Sequence, residues 1–205
     1  MQRPPPSCRG TTPERALRRG QFRIIYADPP WSYKSWSGRA DRSIPRRGRG
    51  VPYPTMPTSA IAALPVQELA AADCVLFLWV PYPFLPDGLA VLSAWGFRFK
   101  TVAFSWVKLN PSGNGFALGL GHWTRANPEI CILATRGHPA RASKGVPNLI
   151  VSPRGAHSKK PNEVRERIVA LCGDLPRVEL FARQHAEGWD VWGNEVASTV
   201  HLQPH

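Results

Sequence analysis

The sequence predicts an α/β domain: a mostly parallel sheet with helices on both faces. Three observations lead there. Apolar runs rich in β-branched and aromatic residues alternate with helix-like segments in the order β-α-β-α-β. Residues 73–80 are apolar almost throughout, as a parallel strand covered on both faces is. Long polar loops follow the strands, at the edge where open α/β sheets bind ligands.

The elements follow in order. Residues 1–20 are Pro- and Arg-rich and read as a flexible basic arm. Phe22–Ala27 is too short for a typical helix and reads as a buried strand. Asp28-Pro29-Pro30-Trp31 ends it. An Arg-rich loop at 35–52 carries Arg39, Arg42, Arg46, Arg47 and Arg49; it reads equally as a phosphate-gripping loop and as a disordered insertion. Tyr53 to Met56 leads to Thr58, read as the N-cap of a helix through about Ala71 that is interrupted near Pro65. After the strand at 73–80, a helix over 85–95 ends at Gly96. Strands follow at Thr101–Lys108 and Glu129–Thr135, with a Gly/Asn/Pro loop and His122-Trp123-Thr124-Arg125 between them. A short strand spans Asn148–Val151. Pro161–Cys172 is an amphipathic helix with Pro at its start and Gly173 after it, and Val178–Ala182 is the last core strand. The catalytic domain is expected over 21–197, with a tail at 198–205.

Composition narrows the class. A chain of 205 residues with 43% hydrophobic content suits one globular domain. No apolar run approaches the ~20 residues of a membrane span, and the N-terminus lacks the apolar core of a secretory signal. Cys8, Cys74, Cys131 and Cys172 are widely spaced and read as thiols of a reducing, intracellular compartment. Residues 1–50 hold 12 Arg/Lys and 3 Asp/Glu, so they carry +9 of the net +12. That imbalance suits a nucleic-acid partner, or for residues 1–20 a solvated tail. There is no G-x-G-x-x-G, no Walker loop and no metal-ligand spacing.

The chemistry therefore centres on Asp28-Pro29-Pro30-Trp31. Two prolines fix φ near −65° and remove two donors, so the chain leaves the sheet on a stiff path. A carboxylate, an unencumbered prolyl carbonyl and a flat ring can surround one small planar amine. Two acceptors on the N–H bonds of adenine N6 favour a pyramidal nitrogen and free its lone pair. An aromatic wall can stack an extruded base. The competing reading is a helix start, with Asp28 as N-cap and Pro29 at the first helical position; the second proline adds nothing to such a cap.

With the tetrad, Leu76-Phe77-Leu78-Trp79-Val80, Glu179-Leu180-Phe181-Ala182-Arg183 and Gly188-Trp189-Asp190-Val191-Trp192-Gly193-Asn194-Glu195, the chain resembles the MT-A70-like family of S-adenosylmethionine-dependent adenine-N6 methyltransferases, most of all its short bacterial or phage forms. The resemblance runs from about Phe22 to Val196. It implies a Rossmann-like class I methyltransferase sheet in permuted motif order, and S-adenosylmethionine as cofactor. It implies that Asp28, Pro29, Pro30 and Trp31 are the catalytic motif, with Asp28 also near the cofactor's amino group. Lys160, in Ser158-Lys159-Lys160-Pro161, would face the cofactor carboxylate. Arg183 and His185 would contact the carboxylate or ribose, and Asn194 and Glu195 the ribose hydroxyls. The target-base side maps onto Trp79, Trp106, Lys108 and Glu129, with Tyr53, Arg46 and Arg47 also toward substrate. Core packing competes for Trp79 and Trp106, and an ion pair for Glu129. Ala186 stands where some members carry a polar residue, and the Arg-rich insertion is longer than in eukaryotic catalytic subunits.

The expected activity is transfer of a sulfonium methyl to adenine N6 in nucleic acid, DNA before RNA. The competing readings are RNA adenosine methylation, a non-catalytic nucleic-acid-binding subunit of the same fold, and amino methylation of cytosine.

Overall fold

The computed structural model describes residues 20–32, 54–119, 123–155 and 159–202. The arm at 1–19, the Arg-rich loop with Arg46 and Arg47, and Tyr53, His122 and Ser158 lie outside the described residues. The described residues form one seven-stranded sheet. In chain order the strands are β1 (Phe22–Ala27), β2 (Ala70–Val80), β3 (Arg98–Leu109), β4 (Glu129–Arg136), β5 (Leu149–Pro153), β6 (Arg177–Leu180) and β7 (Asp190–Trp192). Across the sheet they lie in the order β5-β3-β4-β2-β1-β6-β7. Among them β4 alone runs backwards; it pairs antiparallel with β2 and β3, and the other neighbours are parallel. The sheet is mostly parallel, as the sequence predicts, and consistent with a Rossmann-like methyltransferase fold.

Strand alternation sends consecutive residues to opposite faces. Ile25, Leu76, Leu78, Val80, Ile130 and Ile132 face one side. They are covered by Ile61 of α1 (Thr58–Ala62) and by Val91, Leu92 and the following Trp95 of α2 (Leu85–Ala94). Ile24, Tyr26, Phe77, Trp79, Phe104 and Trp106 face the other side, under Val164, Ile168 and Cys172 of α3 (Glu163–Cys172). Helices therefore cover both faces. Cys74, Cys131 and Cys172 are buried free thiols; burial pushes Cys74 up to about 12 and Cys172 to about 11, so both stay protonated at neutral pH.

Several boundaries differ from expectation. The helix from Thr58 stops at Ala62, and a 3₁₀ turn at Val66–Glu68 replaces its second half. Pro65 supplies no N–H and pushes Leu64 out of the helical region. Pro57 occupies the N-cap; Thr58 is already helical and its hydroxyl donates to Asp87 Oδ1 at 2.8 Å. The apolar run of β2 signals burial on both faces but not direction, since only one of its two neighbours is parallel. A seventh strand lies within the Trp-rich stretch at 190–192. Residues 198–202 pack down: Thr199 N–H donates to Val191 O, and Val200 and Leu202 join the first core.

One contact sets how closely a helix can lie on the sheet. A Cβ on Gly88 of α2 would sit 2.6 Å from Val80 Cγ2. In an exposed helix Gly→Ala stabilises by about 1 kcal/mol. Here Gly88→Ala is expected to destabilise by about 1–3 kcal/mol through overpacking. Chemical denaturation should register the loss, and adding Val80→Ala should recover part of it. Additive effects of the two changes would show that the contact does not limit packing.

Candidate active site

The parallel strands β1, β2, β6 and β7 all end at one edge of the sheet, which collects Asp28, Pro81, Phe181 and Gly193 there. The reversed strand β4 begins at that same edge, so its first residue, Glu129, arrives beside them. Lys160 comes from the segment just before α3. The result is an open cleft, lined on one side by Asp28-Pro29-Pro30-Trp31 and on the other by Arg183, Asn194 and Glu195. A second hollow continues from Asp28 and Lys160 toward Tyr26, Arg165 and Glu179, where Arg165 forks onto both Glu179 oxygens at 2.6 and 2.8 Å.

Four charges alternate across the floor. Both Asp28 oxygens lie 2.8 Å from Lys160 Nζ. The same ammonium is 3.1 Å from Glu129 Oε2, and Glu129 Oε1 is 2.8 Å from Lys108 Nζ. Two indoles support this row. Lys160 Nζ stands 5.3 Å from the Trp79 ring centroid and Lys108 Nζ 5.5 Å from that of Trp106. The rings themselves meet edge to face at 6.5 Å. Trp79 donates its indole N–H to Tyr26 Oη at 2.8 Å, and Trp106 donates to Ser152 Oγ at 2.9 Å, so both rings are fixed.

Burial pushes the Asp28 carboxyl up, while Lys160 pulls it down and Glu129 raises it further. Burial acts the same way on Glu129, but Lys160 and Lys108 together outweigh it and hold Glu129 below the usual carboxylate range. For Lys160 burial opposes the charge, and Asp28 and Glu129 override it, so the ammonium is retained at any physiological pH. Burial and the neighbouring Asp28 keep Tyr26 a neutral phenol.

The stiff tetrad behaves differently from expectation in one respect. The Pro29 carbonyl, expected to be unencumbered, already accepts the Trp31 N–H at 2.9 Å, because the turn folds back on itself after the second proline. One of its two lone pairs remains. Pro30 O accepts from Met56 N at 2.8 Å, and Trp31 Nε1 donates to Trp79 O at 3.0 Å while its ring packs on Phe84. Asp28 begins no described helix, so the capping role for it falls away.

The far wall depends on a close backbone approach. A Cβ on Gly193 would lie 2.1 Å from the Ala182 carbonyl oxygen, so only glycine lets β7 end against β6. Phe181 holds φ at 61°, a strained value for a residue with a side chain, and its ring meets Trp192 at 5.3 Å. Arg183 Nε bonds Glu195 Oε1 at 2.9 Å across this wall.

Of the residues singled out from sequence, Asp28, Pro29, Pro30, Trp31, Glu129, Lys160, Arg183, Asn194 and Glu195 line the first cleft together. Trp79 and Trp106 are each 1% exposed and lie beneath the lysines, and Lys108 sits at the end of the charge row. His185 is exposed beyond Arg183 and does not line the cleft. Sequence reasoning missed Met56, Pro81, Phe181 and Trp192 as lining residues. Phe181 and Trp192 sit inside the quoted motifs and were open to that reading; Pro81 follows the most apolar strand and carries no chemical signal. No group of three or more His, Cys, Asp or Glu among the described residues could hold a metal.

Removing the central cation tests the row. Lys160→Met leaves Asp28 without its cation while Glu129 keeps Lys108, at a cost of about 2–4 kcal/mol. The Asp28 carboxyl, already raised by burial, then titrates still higher in the folded protein. Folding is thereby favoured below its unfolded pKa and weakened as pH rises through the folded value. The deficit should be largest near neutral pH and shrink on acidification through the carboxylate range, as read by urea unfolding at several pH values. A deficit independent of pH would show that Lys160 contributes packing alone.

Comparison with known proteins places this arrangement. The sequence profile of the MT-A70 family matches residues 22–195. The chain is 33% identical over 195 residues to the type II methyltransferase M.MunI of Mycoplasma sp., covering 88% of this chain and 80% of that protein. It is 30% identical over 181 residues to an N(6)-adenosine-methyltransferase MT-A70-like protein of Drosophila melanogaster, and 28% identical over 189 residues to the N(6)-adenosine-methyltransferase catalytic subunit METTL3 of Homo sapiens. Those two matches cover 86% and 90% of this chain but only 27% and 30% of the relatives. With its sheet, its cleft and a profile match over most of its length, the chain belongs to the MT-A70 family.

Proposed function

We propose that the chain is an adenine N6-methyltransferase that uses S-adenosylmethionine and acts on DNA. The observation that carries this reading is the carboxylate of Asp28, fixed on a proline-stiffened turn and facing Arg183, Asn194 and Glu195 across an open cleft. The donor set fits the cofactor. Asp28 suits an ammonium, Lys160 and Arg183 suit a carboxylate, and Asn194 with Glu195 suits a ribose diol. When bound, S-adenosylmethionine supplies an activated methyl group, so no metal is needed to polarise a leaving group.

The chain's own residues then position the acceptor. Asp28 and the remaining lone pair of Pro29 O accept the two N–H bonds of N6, which turns the nitrogen lone pair toward the cleft. Pro30, Trp31 and Pro81 wall the base. In-line attack needs the nitrogen about 3 Å from the methyl carbon, so holding it there supplies much of the rate. The proton leaves to solvent after transfer, because the methylated ammonium is strongly acidic. Lys160 is shared: in the structure it holds Asp28 and Glu129, and a bound carboxylate would draw on the same charge.

The preference for DNA rests on coverage. The chain spans 80% of the protein named a type II methyltransferase and under a third of those named adenosine methyltransferases. Mass spectrometry of nucleosides from expressing cells tests it. N6-methyladenine in DNA supports the reading; a signal confined to RNA moves the substrate to RNA. Calorimetric titration with S-adenosylmethionine separates the enzyme from a non-catalytic subunit, which would bind none.

Asp28→Ala should lower methyl transfer at least about 100-fold while the protein remains folded; near-normal transfer would sink the mechanism. The pH profile gives an independent check. Activity needs the Asp28 carboxylate, and burial raises its pKa, so the acidic limb should lie above the ordinary aspartate range. Glu129 raises it further. Glu129→Gln removes that negative neighbour and should move the limb to lower pH. A shift to higher pH would contradict the coupling.

A further inference from the structure

Trp123 is 94% exposed, whereas Trp31, Trp79 and Trp106 beside the site are buried. It stands on the connection from β3 to β4. Because β3 runs parallel to β1, that connection leaves the sheet at the edge that carries Asp28. The connection is braced. Ala117 N–H donates to Lys108 O at 2.8 Å and Gly119 N–H to Ala126 O at 2.6 Å. Asn127 ties both strands of this stem, donating to Lys108 O at 2.8 Å and Ala117 O at 2.7 Å and accepting from Lys108 N. Arg125 donates to Gly119 O at 2.7 Å and Leu118 O at 3.1 Å, which sets a guanidinium two residues from Trp123. Phe116 and Leu118, on the same stem, are 62% and 56% exposed. The base of the stem is Lys108, the last charge of the row that begins at Asp28.

A braced stem that presents an aromatic ring to solvent needs an apolar partner. The charge at this end of the sheet says which. Lys108, Arg125, Arg154, Lys159 and Lys160 gather there, against the carboxylates of Asp28 and Glu129. A second copy of a chain carrying +12 would be repelled, whereas a polyanion with stacked apolar faces fits both features. Taking a base out of a duplex costs a few kcal/mol and leaves a gap in the stack that an inserted apolar side chain can fill.

We infer that Trp123 is a wedge that enters the stack of duplex DNA as the target adenine turns into the cleft, with Phe116 and Leu118 against the groove and Arg125 toward phosphate. This rests on the reading of the chain as a DNA adenine methyltransferase. Trp123 touches neither the reacting atoms nor the charge row; it acts on the extrusion step. Single-stranded DNA has no stack to open and does not need it.

The test uses the full chain and fragmented genomic DNA, either intact duplex or heat-denatured, with N6-methyladenine read by nucleoside mass spectrometry. Trp123→Ala should lower duplex methylation about 10- to 100-fold, the range set by one base–aromatic stacking contact. Methylation of denatured DNA should stay within about twofold of wild type. Trp123→Phe should restore much of the duplex rate, and melting temperatures should match. Equal loss on both forms, or no loss on duplex, would overturn the wedge. So would a change of oligomeric state in Trp123→Ala, which would assign the surface to a protein contact. If the wild-type chain methylates neither form, the DNA reading itself fails; if wild type methylates both and the variant is unaffected, only the wedge does.

Discussion

Asp28, Lys160, Glu129 and Lys108 form a row in which each interior charge touches two of opposite sign. Such a row resolves a conflict. A ligand site for polar groups must concentrate charge where water is scarce, and an isolated buried charge costs several kcal/mol. Alternation cancels the net charge while each group stays ionised. It also links positions 132 residues apart, since Lys160 reaches Asp28 only when the segment before α3 lies over the end of β1. The turn after β1, the start of β4 and the approach to α3 are each placed by this row, so the geometry of the cleft depends on it. The two indoles beneath add a platform that favours cations, which keeps the ammonium groups in place as Asp28 or Glu129 changes partner.

The backward strand gives the row its third member. In a wholly parallel sheet every strand would present its last residue at the ligand edge and its first residue at the far one. By reversing, β4 sets Glu129, its first residue, beside the ends of β1 and β2. Direction was not legible in the sequence, because apolar runs report burial and a run in an antiparallel pair reads alike when both faces are covered. The same limit applies to the shortened first helix, where local propensity favoured helix but Pro65 and the pairing of Ala70 with Phe22 pulled the chain into β2. Burial of Val200 and Leu202 was invisible for a related reason: two apolar residues in a polar stretch have no periodicity to read.

What sequence did carry was chemistry at fixed points. Asp28, with two prolines and a tryptophan behind it, names a rigid acceptor wherever the strand ends, and Lys160 and Glu195 name charges of the correct sign. Which group touches which depends on distances that only the fold supplies. The Pro29 carbonyl is half-occupied by Trp31, and Arg183 pairs with Glu195 across the wall. Trp79 and Trp106 lie under the lysines, where they act on the site through the charges they support. The strain at Phe181 belongs to the same class of information: no residue type announces a φ of 61°, yet that kink aims the chain from β6 along the cleft.

The central position of β1 has a consequence for synthesis. Its neighbours are β2, which leaves the ribosome soon afterwards, and β6, which begins only at Arg177. A nascent chain therefore makes Asp28 well before β6 and must hold that edge of β1 open in between. A product that stops before β6 lacks the cleft wall of Arg183, Asn194 and Glu195. Unpaired strand edges invite wrong pairing, and sheets joined over long sequence separations close slowly. For this chain the interval between making β1 and making β6 is the time during which chaperone protection matters most.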